Sequence, residues 1–119
     1  MSIPVSMQQL AATLTAFEHA YLITMRPAGG FAKIYTVDPV VTDGELLIPT
    51  DHQASLDNVT ADPRITLIWP PLVHHGWTLL VDGHGSAVPG GIQVAVDHGM
   101  LHRPREHGDG PEWVFPESK

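Results

Sequence analysis

The sequence predicts a mainly β domain, a closed or half-closed antiparallel barrel of about six short strands with two short helices. Three observations carry that expectation. Short β-prone runs recur along the chain, each bounded by Gly, Pro or Asp-Gly turn signals. Helical periodicity is confined to two stretches. With 119 residues, 43% of them hydrophobic and 16% charged, the chain suits one core and one domain. A sheet of that many short antiparallel strands hides its edges by curling on itself.

Residues 6–19 read as the first helix. Ser6 and Gln9 match a capping box, and Met7, Leu10, Ala11, Leu14 and Phe17 recur at helical spacing. "YLITMR" (21–26) reads as a strand that stops at the turn-forming "PAGG". "FAKIYTVDPVV" (31–41) alternates imperfectly and leads into Asp43-Gly44, a hairpin signal, after which "LLIP" (46–49) returns. Residues 51–61 form the second helix, with Thr50 or Asp51 as its cap. Pro63 ends it by removing a donor and restricting Asp62. "RITLIW" (64–69) is a strand stopped by Pro70-Pro71. "WTLLVDGHGSAV" (77–88) and "IQVAV" (92–96) are two more, joined through "PGG", and "MLHR" is a candidate last strand. From Pro104 a polar tail follows, in which Trp113 and Phe115 favour docking, on the barrel or on a partner subunit.

Composition excludes several functions. The absence of cysteine rules out disulfides, thiolate catalysis and Cys-ligated metal centres, and fits a cytoplasmic protein. Six basic against thirteen acidic residues give a net charge of −7, with no basic cluster to neutralise phosphates, so nucleic acid is not an expected partner. No apolar run is long enough to span a membrane, and the first residues lack the basic-then-apolar pattern of a leader. Eight histidines raise the question of a metal. His74 and His75 would face opposite sides of a strand, and His84, His98 and His102 match no strong metal-binding spacing, so none is assigned. There is no G-x-S-x-G, and "GG" at 29–30 and 90–91 reads as turns rather than phosphate loops.

The order of pieces adds a more specific expectation. "LAATLTAFEHAYLITM", a basic residue in the second strand, "TDGELLIPT", "LDNVTADPRITLIW" and "WTLLVDGHGSA" follow one another as far as about Arg103. In that order and spacing the chain resembles the pyridoxamine 5′-phosphate oxidase-like, FMN-binding split β-barrel family. The resemblance implies a split β-barrel that pairs as a homodimer, with a flavin-type cofactor, FMN or the deazaflavin F420, in each interface cleft. It further implies an oxidoreductase acting on a small molecule stacked against the ring, with the cofactor carrying the chemistry. By position, the second-strand cation falls on Lys33 and the strand-end hydroxyl on Thr50. The helix lysine falls on Ser55, with His52 and Gln53 beside it. Trp77 is expected at the dimer cleft. Serine in place of lysine keeps a donor but removes a charge, which implies a weaker phosphate grip and leaves a cofactor-free or ligand-sensing dimer as the alternative. The spacing of Arg103 and Arg105 does not match the pattern that would recognise pyridoxamine phosphate, and no catalytic acid or base is named.

Overall fold

A computed structural model describes residues 1–117. Eight strands and two helices follow in the order β1 (Ser2–Val5), α1 (Met7–Leu14), β2 (Ala20–Thr24), β3 (Lys33–Val37), β4 (Val40–Thr42), β5 (Glu45–Pro49), α2 (Gln53–Ala61), β6 (Arg64–Trp69), β7 (Thr78–Val88) and β8 (Gly91–His102). All pairings are antiparallel, in the order β3-β2-β6-β7-β8-β5-β4, with β1 added on β8. The mainly β split barrel with two helices is therefore as expected, with more strands than the sequence suggested.

Each difference from the expected strands has a physical reason. The run 31–41 breaks at Asp38-Pro39, and β3 and β4 pair with different neighbours on either side of the break. The segment expected as "IQVAV" plus "MLHR" is one strand, β8, because a β-bulge lets it continue. Asp82 pairs with His98 and Gly83 with Val96, which leaves Asp97 as the extra residue. One edge of β8 follows β7 throughout. Its other edge is shared by β5, at Gly91–Val94, and by β1, at Gly99–His102. Strand β1 is four residues long and contains Pro4, so its local signal is weak and its pairing is supplied by residues far along the chain.

The helices are shorter or differently capped than expected. In α1 the Ser6–Gln9 capping box is present, but the helix ends at Leu14, where the Thr15 hydroxyl turns back on the Ala12 carbonyl at 2.6 Å. Between β4 and β5, Asp43 and Gly44 take positive φ (51° and 76°), the geometry of a two-residue hairpin turn. Helix α2 lies across β7 over Gly85. A Cβ there would stand 3.1 Å from Val59 Cγ1 and 3.0 Å from Ile92 Cγ2, so the glycine permits the close approach.

Leu22, Leu46, Ile48, Leu67, Leu79, Val81 and Leu101 are fully buried inside the curled sheet. The tail docks on its own barrel. Trp113 stacks on Phe17, at 6.0 Å between ring centroids, and meets Phe115 edge-on. No helix among the described residues is long and apolar enough to cross a membrane.

Candidate functional site

Strand β3 lies at one end of the sheet and β5 near the other, yet the curl of the barrel brings β3 against the start of α2, directly after β5. The contact is a ring stack: Tyr35 and His52 are parallel within 4°, with centroids 3.7 Å apart. The strand face is set by register. Lys33, Tyr35 and Val37 pair with Thr24, Leu22 and Ala20, which are buried, so Lys33 and Tyr35 share the inward side of β3.

Around this corner the chain collects groups that suit an anion. Lys33 is half-buried and has no ion-pair partner among the described residues. The N-cap of α2 is His52, rather than Thr50 or Asp51, and its side chain makes no capping bond to the helix backbone. The amides of Gln53, Ala54 and Ser55 accordingly have no hydrogen-bond partner among the described residues, and they carry the positive end of the helix dipole. Thr50 is half-buried at the end of β5; its Oγ1 accepts the His52 backbone N–H at 3.1 Å. Beneath them Asn58 is buried and donates to Thr24 Oγ1 at 3.1 Å, tying α2 to β2.

The structure thus brings Thr50, His52, Gln53 and Ser55 to one corner, with Lys33 two residues from Tyr35 along β3, and it gives three of the expected residues contacts of their own. Ser55 is fully buried, and its hydroxyl is engaged with His52 Nδ1 at 2.8 Å, so it does not present a donor to a ligand. The reason is helical geometry: three residues after the cap, position 55 turns under the first turn toward the core. Gln53 is exposed, and its amide donates to Asp57 at 2.7 Å. Trp77 lies elsewhere. Period-two alternation puts it on the same inner face as Leu79 and Val81, at the end of β7 away from the corner. There its Nε1 donates to the Pro111 carbonyl at 3.1 Å, and the Arg103 guanidinium lies 4.3 Å from its ring centroid. Trp77 anchors the tail. Tyr35 was missed, although it lies two residues from Lys33 and hence on the same strand face.

Several histidines pair singly with an aspartate: His84 with Asp97 at 2.7 Å, His98 with Asp82 at 2.9 Å and His75 with Asp109 at 2.6 Å. The Asp109 carboxyl is held below its usual range, chiefly by the hydrogen bond from His75.

No family model matches the chain. Uncharacterized proteins of Mycobacterium bovis and of Mycobacterium tuberculosis are each 32% identical, over 83% of this chain and 80% of their own length. Among solved structures, a FAD-binding protein from Mesorhizobium loti superposes with a TM-score of 0.60 at 12% identity, covering 85% of this chain and 96% of that one. A FAD-binding protein from Mycobacterium smegmatis gives 0.60 at 15% identity, over 87% and 100%. A pyridoxamine 5′-phosphate oxidase candidate from Corynebacterium glutamicum gives 0.52 at 10% identity, over 86% and 93%. This chain belongs to one family with the two mycobacterial proteins, and its fold is the pyridoxamine 5′-phosphate oxidase-like split β-barrel.

Proposed function

We propose that the chain binds a flavin-type nucleotide with its phosphate in the corner between β3 and α2, and that it serves as a cytoplasmic oxidoreductase. The observation that carries this reading is the stack of Tyr35 on His52 at the uncapped start of α2, beside Thr50, with Lys33 two residues from Tyr35 on the same face of β3 and without an ion-pair partner among the described residues. A phosphate takes charge-assisted bonds from such a cation and from free helix amides. The solved structures of FAD-binding proteins with the same fold support it. A bound flavin supplies the electron and hydride chemistry, while this chain binds, orients and excludes water around it. FMN and F420 are the two cofactors that the first resemblance implied, and FAD joins them as a candidate.

A homodimer belongs to the same proposal. Cross-strand partners share a sheet face, so Tyr21, Ile68, Leu80 and Met100 form one continuous row across β2, β6, β7 and β8. All four lie on the side opposite the core, and none is fully buried. Ile34, 59% exposed, pairs with Ile23 in the adjacent row. An apolar outer face of this extent suits a second copy of the chain and a cleft at the interface for a small-molecule substrate.

The test is a fluorescence titration of dialysed protein with FMN, FAD and F420 in parallel. Saturable binding of one of them at one equivalent per chain is expected, and Lys33→Ala should weaken it by about 1.5–3 kcal/mol, the range of a charged hydrogen bond. Absence of saturable binding by any of the three would leave the second reading, a cofactor-free or ligand-sensing dimer. That reading rests on Ser55, buried and uncharged, and on the exposed Asp51 beside the corner.

A further inference from the structure

His52 is held on three sides. Its backbone N–H donates to Thr50 Oγ1 at 3.1 Å, its Nδ1 meets Ser55 Oγ at 2.8 Å, and its ring lies flat on Tyr35. The Ser55 that anchors it is wholly buried. Nε2, at the far side of the ring from Nδ1, has no hydrogen-bond partner among the described residues. An imidazole restrained so fully, with one nitrogen left over, is a positioned group rather than a loose surface side chain.

We propose that His52 is the phosphate contact that replaces the lysine, and that Ser55 is its positioning residue, so that the grip on a phosphate monoester depends on pH. The inference rests on the phosphate reading of the corner. A serine hydroxyl both donates and accepts, so Ser55 holds the ring in either protonation state. In the neutral ring Ser55 donates to Nδ1, and Nε2–H donates to the phosphate as an uncharged donor. In the imidazolium both nitrogens donate, Nδ1 to Ser55 and Nε2 to the phosphate, and the second bond becomes charge-assisted. A lysine at position 55 would be a permanent cation, whereas an imidazole carries charge only when protonated. The charged and titratable groups on the elements around it are Lys33 and Tyr35 on β3, Asp51 in the link and Asp57 on α2, the last bonded to Gln53.

The test compares FMN with riboflavin, which lacks the phosphate, in titrations from about pH 8.5 to about 6.5, above the second phosphate ionisation at about 6. In the unaltered protein FMN affinity should rise about tenfold over that span, the size of one gained charge-assisted bond, with riboflavin unchanged. His52→Gln should abolish the rise, His52→Lys should hold FMN tightly at both ends, and Ser55→Ala should blunt the rise. Unchanged riboflavin binding by each variant shows that the cleft is intact. A preference for FMN that neither moves with pH nor responds to His52→Gln would overturn the role of His52 while leaving the phosphate site standing. Equal affinity for FMN and riboflavin in the unaltered protein would remove the phosphate site, and this role with it.

Discussion

Arg103 is a cation buried to 5% exposure that bonds to carbonyls where a carboxylate would be usual. Its NH1 donates to the Pro111 carbonyl at 2.7 Å and the His75 carbonyl at 3.3 Å, while the guanidinium lies over Trp77. A guanidinium tolerates this because it is planar, weakly hydrated and attracted to an aromatic face. Its own backbone carbonyl accepts the Met1 ammonium at 2.9 Å, so one residue joins β8, the loop before β7, the tail and the N-terminus. Arg103→Met keeps the stem but leaves the His75 carbonyl without its donor and removes the contact with Trp77. The expected loss is roughly 1–3 kcal/mol, read as a lower urea midpoint. In the sequence Arg103 suggested only a ligand-binding pattern that did not fit, because nothing local shows that the tail folds back over it. Lys33 and Thr50 were expected from the family resemblance, whereas the burial of Ser55 could not be read from the sequence, because burial depends on which side of α2 meets the barrel.

Helix α2 is the element on which the corner depends. It is seated by Gly85, so Gly85→Ala should force Val59 and Ile92 apart at a cost of roughly 1–3 kcal/mol. A lower melting temperature together with weaker FMN binding would be the signature, since the helix carries the amides proposed to hold the phosphate. Its far end is closed by Asp62, which accepts the backbone N–H of Arg64 at 3.2 Å and its guanidinium at 2.7 Å. The bonds from Arg64 hold the Asp62 carboxyl at about 2, down from the ordinary 3.8. A folded pKa below the unfolded one means that the stabilisation is fully present above the unfolded value and is lost as pH falls through the folded one. Asp62→Asn should therefore flatten the acid limb of the stability curve between pH 3.8 and about 2, measured by chemical unfolding across that window. The sequence located the stop at Pro63 correctly, and the Asp62–Arg64 closure lies within three residues of chain, close enough to be read locally.

For the whole molecule, the outer rows of the sheet matter most. The row through Tyr21, Ile68, Leu80 and Met100 crosses four strands that come from distant parts of the sequence. Ile34→Glu places a charge on that face at a position 59% exposed, where the isolated barrel should tolerate it. Sedimentation should show a dimer for the unaltered protein and a monomer for the variant, with matching circular dichroism. A monomeric unaltered protein at tens of micromolar would remove the dimer from the proposal.

Period-two alternation, capping residues and turn dipeptides are local energies, and they were enough to predict a barrel, both helices and the hairpin at Asp43-Gly44. The resemblance to the split-barrel family, carried over position by position, brought Lys33, Thr50 and His52 under suspicion together. What only the folded chain decided are matters of nonlocal pairing: β1 on the end of β8, with Ser2 opposite His102, and the bulge at Asp97 that merges two expected strands into one. The same holds for the return of the tail onto Trp77 and Arg103, and for the ring of Tyr35 that meets His52 across the curl of the sheet. Each joins residues whose attraction has no counterpart in their immediate neighbours, since the groups become adjacent only when the sheet closes and its inner face is chosen.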